Sequence, residues 1–217
     1  MRTVISMAVA ATALLAGTPA KADAGDVLVR LRGIRVAPQD SSGAVKPAFA
    51  GSSVDVGNSW APEVDFTYKA TGHLGAELIV ATTKHHIDGR GTLGGAGRLA
   101  STWVLPPTLT LQYHFAPGAA IRPYVGAGVN YTLFYSEKAS DNLQAAIGDT
   151  KVHLRDSFGF ALQAGVDVPV TERVFLNADI KYIDIDSKAR LNTGGAINRT
   201  DVSIDPLVIG FGVGIRL

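Results

Sequence analysis

The stretch IRPYVGAGVNYTLFYS, residues 121–136, decides the fold. Taken two residues at a time it separates into two faces. Ile121, Pro123, Val125, Ala127, Val129, Tyr131, Leu133 and Tyr135 form one, apolar throughout. Arg122, Tyr124, Gly126, Gly128, Asn130, Thr132, Phe134 and Ser136 form the other, small or polar apart from Tyr124 and Phe134. A strict period of two is the mark of a β-strand. Glycine inside a strand costs conformational entropy and packs nothing, so its placement on one face says that the face has little room.

The same alternation recurs outward in both directions. Trp103, Leu105, Leu109, Leu111, Tyr113 and Phe115 oppose Thr102, Thr108, Thr110, Gln112 and His114. Phe158, Phe160, Leu162, Ala164, Val166 and Val168 oppose Ser157, Gly159, Gln163, Gly165 and Asp167. Val174, Leu176, Ala178, Ile180 and Tyr182 oppose Asn177, Asp179 and Lys181, with Phe175 an exception, and the parity inverts at Ile183-Asp184-Ile185-Asp186. Leu207, Ile209, Phe211, Val213, Ile215 and Leu217 oppose Gly210, Gly212, Gly214 and Arg216. Nearer the start, Trp60, Val64, Phe66 and Tyr68 alternate with Glu63, Asp65, Thr67 and Lys69. Leu74, Ala76, Leu78 and Val80 alternate with His73, Gly75, Glu77 and Ile79. A first segment, about 26–37, is the least regular, and makes eight.

The connections take turns in length. Those over 38–57, 87–101, 137–152 and 187–201 are long, whereas those near 70–73, 116–120 and 169–173 are tight. A water-soluble sandwich has no reason for that rhythm. A membrane barrel has one: short turns face the periplasm and long loops face outward. Size then orients the faces. Eight strands enclose a lumen only just wide enough for its side chains, so the bulky face cannot be inside. A lipocalin-like soluble carrier is the competing reading of the same periodicity. The expectation is an all-β, eight-stranded antiparallel up-and-down transmembrane β-barrel whose outer solvent is outer-membrane lipid. Tyr68, Tyr113, Tyr135 and Tyr182 lie near strand ends, where aromatic girdles belong.

Composition agrees. Of 217 residues 47% are hydrophobic and 18% charged, with 24 Gly, no Cys and a formal charge of +1. The absence of Cys removes disulfides and thiolate metal sites. The balanced charge without a basic patch argues against nucleic acid as a partner. Met1-Arg2-Thr3, the apolar run VISMAVAATALLA over residues 4–16, and Ala20-Lys21-Ala22 have the order of a secretory signal. A membrane-spanning helix needs about 20 apolar residues, more than this run supplies. Residues 1–22 therefore read as a cleaved signal peptide and 23–217 as the barrel.

Several stretches resemble the OmpW family of small outer-membrane barrels. They are Asp26-Val27-Leu28-Val29-Arg30, Leu105-Pro106-Pro107-Thr108-Leu109, Arg122-Pro123-Tyr124-Val125-Gly126-Ala127-Gly128 running on to Thr132, Tyr182-Ile183-Asp184-Ile185-Asp186, and Asp205-Pro206. The resemblance covers nearly the whole mature chain. It implies a channel for passive uptake of small hydrophobic molecules, released sideways into the bilayer, and passage through the outer-membrane assembly machinery. It also implies apolar side chains interrupting the lumen. Ile79 is similar in place to one of these, and Phe134, an aromatic on the small-residue face, is a second candidate. Lys181 stands where the family commonly has an aromatic lumen residue, and the chain ends in Leu217 where such barrels usually end in Phe.

Glu77, Arg122, Asn130, Asp179 and Arg216 fall on the lumen side by parity. Pro106-Pro107 interrupts a strand, because proline donates no ladder hydrogen bond. That break serves either as a gap for lateral exit or as a bulge that re-aims the strand. No cofactor or metal is expected, since adjacent His85 and His86 point to opposite faces of a strand and chelate poorly. Two other function classes compete with a channel. A structural or adhesive barrel would carry a lumen plugged by paired charges, drawn from Glu77, Arg122, Asp167, Asp179, Lys181 and Arg216. A lipid-modifying enzyme would need a nucleophile beside a base. Ser157 and His153 share a face by count but lie four residues apart, too far to hydrogen-bond along one strand. The Gly-rich stretch Gly91–Gly97 reads as an outer loop. Ser136 to Thr150 holds Leu143, Ala145, Ala146 and Ile147 in helical spacing, as a cap over the outer mouth.

Overall fold

A computed structural model describes residues 24–217, so the signal peptide read at 1–22 lies outside the described residues. In chain order the strands are β1 (Val27–Ala37), β2 (Ser41–Ser42), β3 (Ser52–Val56), β4 (Ser59–Lys69), β5 (Leu74–Ala81), β6 (Thr83–Gly91), β7 (Arg98–Leu105), β8 (Thr108–His114) and β9 (Arg122–Ala139). A short helix, α1 (Asp141–Ile147), precedes β10 (Thr150–Leu154), β11 (Ser157–Pro169), β12 (Val174–Ile183), β13 (Asp186–Thr193), β14 (Ala196–Ser203) and β15 (Leu207–Arg216).

Eight of these close a ring in the order β1-β4-β5-β8-β9-β11-β12-β15 and back to β1, with every pair antiparallel. The registers run unbroken over long stretches, from Leu28 opposite Arg216 to Ala37 opposite Leu207, and from Arg122 opposite Asp167 to Thr132 opposite Ser157. Closure leaves no free edge, which hydrocarbon requires of any spanning sheet. Leu31, Phe66, Leu78, Leu109, Leu111, Phe160, Leu176 and Phe211 are exposed on the outer wall. So broad an apolar band marks a surface whose solvent is lipid. Trp60, 74% exposed, and Trp103 stacked on Tyr135 stand at one rim of the band, with Tyr68 and Tyr113 at the other.

Two of the three tight turns share a device. Thr71 Oγ1 accepts from the backbone N–H of His73 and Leu74, and Thr171 Oγ1 accepts likewise from Arg173 and Val174. A hydroxyl that caps its own turn replaces the ladder bonds lost where the chain reverses.

The long connections, expected as loops, are largely strands. β3 pairs with β6, β6 with β7, and β7 with the far end of β9. On the other side β10, β13, β14 and β2 form a separate sheet. They were hidden because alternation persists past the lipid while its sense reverses. Ala189, Leu191 and Val202 point inward, and Lys188, Arg190 and Asp201 point out to water. The parity inversion at Ile183–Asp186 has the same origin. Gly91–Gly97, read as a loop, tightens into one 3-10 turn at Gly94–Ala96 with Leu93 buried. The helix expected over 136–150 is α1: Ser140 caps it, its hydroxyl accepting from Leu143 N–H at 3.1 Å, and Leu143 is buried.

The glycine face is the lumen. A Cβ at Gly165 would overlap the Tyr124 ring, and one at Gly214 the Phe175 ring. Two aromatic rings thus fill space that any other residue would take. Tyr124 and Phe175, exceptions to the outward-apolar pattern, are both buried inside.

Candidate functional site

Along its axis the lumen changes character. At the end carrying the tight turns it is filled by charge. Arg30 is fully buried; its Nη1 donates to Asp65 Oδ1 at 3.0 Å and to Thr67 Oγ1 at 2.7 Å. Its Nε and Nη2 fork onto Asp167 at 3.2 and 2.8 Å. Arg32 pairs through Nη2 with Asp65 Oδ2 at 2.6 Å, through Nε with Glu63 at 2.9 Å and through Nη1 with Asp179 at 2.7 Å. Lys181 Nζ bridges Glu63 and Asp179 at 2.8 and 2.6 Å. Glu77 Oε2 accepts from Gln163 Nε2 at 2.6 Å and Thr110 Oγ1 at 3.1 Å. The Arg30 guanidinium also lies 5.2 Å from the Tyr124 ring centre and 5.4 Å from that of Phe175. Desolvating each ion costs several kcal/mol, and only a mutually bonded set offsets it. These side chains form a floor across the lumen.

Above that floor the lining turns apolar. Ile34, Val36, Ile79, Ala81, Val104 and Val208 line a narrow apolar pocket. A second apolar pocket, nearer the extended rim, is lined by Val45, Val54, Leu99, Leu143 and Leu191. His85 bonds Gly57 O at 2.8 Å and lines the first chamber.

The wall beside this chamber is incomplete. β5 pairs with β8 as far as Ile79 opposite Thr108, and pairing resumes in β6 and β7 at Thr83 opposite Val104. Val80, Ala81 and Thr82 face Leu105, Pro106 and Pro107 across the lapse. The Thr82 hydroxyl reaches Val104 O at 3.3 Å and the Tyr135 hydroxyl at 2.6 Å. On the far side Tyr131 N–H donates to Pro107 O at 3.1 Å. Pro106 itself lines the chamber.

The residues singled out from sequence sort accordingly. Ile79 and Phe134 are buried in the apolar lumen. Glu77, Asp179 and Lys181 belong to the charged floor. Lys181 is thus one member of an ion network, and the apolar lining is supplied by others. Asn130 is buried with its Oδ1 accepting from Thr132 at 3.2 Å. Arg122 and Arg216 sit half-buried at the mouth on the tight-turn side, where Arg122 Nε donates to Ala119 O and Arg216 faces Asp26 at 3.7 Å. Ser157 and His153, counted onto one face, are separated by the break at Arg155-Asp156. Ser157 is buried and accepts from Asp186 N–H at 3.0 Å, whereas His153 is exposed beside Glu137. Sequence reading passed over Arg30 and Arg32 because β1 crosses both zones. Its inward residues run Leu28, Arg30, Arg32, Ile34, Val36, so neither face is uniform.

Residues 23–217 match the family model described as OmpW family. The chain belongs to the OmpW family. Outer membrane protein W of Escherichia coli K12 is 36% identical over 218 residues, covering 100% of each chain. The crystal structure of OprG from Pseudomonas aeruginosa superimposes with a TM-score of 0.85 at 34% identity, covering 92% of this chain and 99% of that one. A more distant relative, the dibenzothiophene metabolism operon protein PahQ of Pseudomonas aeruginosa, is 30% identical over 167 residues, 76% of this chain and 74% of that one. As an OmpW-family barrel, the protein resides in the bacterial outer membrane. Its short turns face the periplasm and its extended rim faces outward.

Proposed function

We propose that this barrel takes up small hydrophobic molecules at its outer mouth and releases them sideways into the outer leaflet. The observation that carries the reading is the apolar chamber that stops on a charged floor and has Pro106 in its wall. A hydrophobic solute gains by leaving water for such a chamber, but loses that gain against buried ions. The lapse between Ala81 and Pro106 then offers a route that never meets the floor. PahQ supports the reading, being named for an operon of dibenzothiophene metabolism, an aromatic and apolar compound. The floor itself favours a second reading, a structural barrel with a closed lumen.

Liposome uptake of hydrophobic probes of graded size distinguishes the two. A channel takes up small apolar probes faster than an unrelated eight-stranded barrel. Replacing Pro106 and Pro107 by Ala supplies at residue 106 an N–H that can donate across the lapse, residue 107 facing Tyr131 instead, and uptake should fall at least fivefold in the folded variant. Equal uptake by protein and control favours the closed barrel and defeats the channel.

A further inference from the structure

Three lysine and arginine side chains in the floor, Arg30, Arg32 and Lys181, are met by carboxylates. Lys69 differs. It is fully buried, yet its Nζ has no hydrogen-bond partner among the described residues. It closes β4 at the periplasmic end, where Lys69 N–H donates to Asp26 O at 2.9 Å and Gly25 N–H donates to Lys69 O at 2.8 Å, so its backbone is pinned. The side chain lines a shallow pocket at that mouth, between the turns holding Pro117 and Thr171. Four cations border the pocket, Lys69, Arg122, Arg173 and Arg216, against the carboxylates Asp167 and Glu172. Asp167 is already engaged: Oδ1 accepts from Arg30 Nε and Asn177 Nδ2, and Oδ2 from Arg30 Nη2.

From this geometry we infer that the periplasmic mouth is a binding site for a compact phosphate-type oxyanion, with Lys69 as its innermost donor and Arg122 beside it. A buried ammonium without a partner carries a desolvation cost that an incoming anion offsets. Charge-assisted hydrogen bonds to phosphate oxygens are short and strong. Arg122 and Arg173 at the same mouth steer such an ion toward Lys69, while Asp26 faces Arg216. Two sources share this chemistry: free phosphate, and the headgroup of an inner-leaflet phospholipid at the same height. The inference does not depend on what the upper lumen carries.

The test uses the folded full barrel in dodecyl maltoside micelles, which contain no phosphate. Inorganic phosphate is titrated against chloride at equal ionic strength while the Lys69 and Ala70 backbone amides are followed by NMR. A saturable shift with phosphate and none with chloride is expected. Lys69→Met should weaken it at least tenfold, and Arg122→Gln, read in the same titration, covers the case in which Lys69→Met fails to fold. Adding short-chain phosphatidylglycerol separates the sources: competition with phosphate assigns the site to a headgroup, and its absence assigns it to the free ion. No phosphate-specific shift, or a shift unchanged in the folded Lys69→Met or Arg122→Gln protein, overturns the site.

Discussion

Replacing Arg30 by Met tests whether the floor is a dry, mutually satisfied set of charges. Arg30 serves three carboxylates, but the losses differ, since Glu77 lies at 3.5 Å and keeps Gln163 and Thr110. Asp65 keeps Arg32 at 2.6 Å, whereas Asp167 keeps only Asn177 Nδ2 at 2.7 Å. One buried carboxylate is therefore stranded, and breaking a buried pair in this way costs about 3–5 kcal/mol. Urea unfolding from lipid vesicles measures it, with Trp60 and Trp103 at the outer girdle as fluorescence reporters. Adding Asp167→Asn removes the stranded charge and should recover most of the loss, because the two residues are directly coupled. Hydrophobic-probe uptake in the folded variant should stay unchanged if solutes leave through the wall. A loss below about 1 kcal/mol, the value of an exposed pair, would mean that water already reaches these groups and would refute the reasoning.

Three further expectations follow from packing and position. Gly165→Ala forces a methyl against the Tyr124 ring and should cost about 1–3 kcal/mol of vesicle stability, as overpacking does. Leu109→Arg should cost about 2–4 kcal/mol in the same assay, the value for a cation on the lipid face near mid-bilayer. Leu109 lies between Trp103 at one girdle and Tyr113 at the other. Ser140→Ala removes the cap of α1 and should destabilise that helix by about 1 kcal/mol. Amide exchange over 141–147 would quicken while the barrel's unfolding midpoint stays put.

How much of this was legible depended on which solvent each face meets. Wherever the outer wall touches lipid, as in residues 121–136, bulky and small residues separate cleanly, and the ring of eight followed from counting. Glu77, Asp179 and Lys181 were placed inside by parity alone. Beyond the girdle the outward face meets water, so Ser187, Ala189 and Leu191 alternate in the opposite sense to Leu176 and Ile180, and the pattern of the lipid-facing strands does not reveal β13 and β14. Arg30 and Arg32 went unread because one strand face passes from ionic to apolar surroundings within four residues. Nothing local in Pro106-Pro107 distinguishes a bulge from a lapse in the wall. That needed the register of β5 and β6 against β7 and β8.

The rim beyond the girdle is built from two sheets, and few bonds stitch them. Ser42 Oγ exchanges bonds with Val54 N–H and O, Asp40 accepts from Val56 N–H, and Glu137 accepts from Leu154 N–H. A collar fastened by side-chain clasps has a girth set by those clasps and not by strand number. Exchanging the residues at positions 40, 42 or 137 would therefore change the width of the outer mouth, while the hoop embedded in hydrocarbon kept its shape.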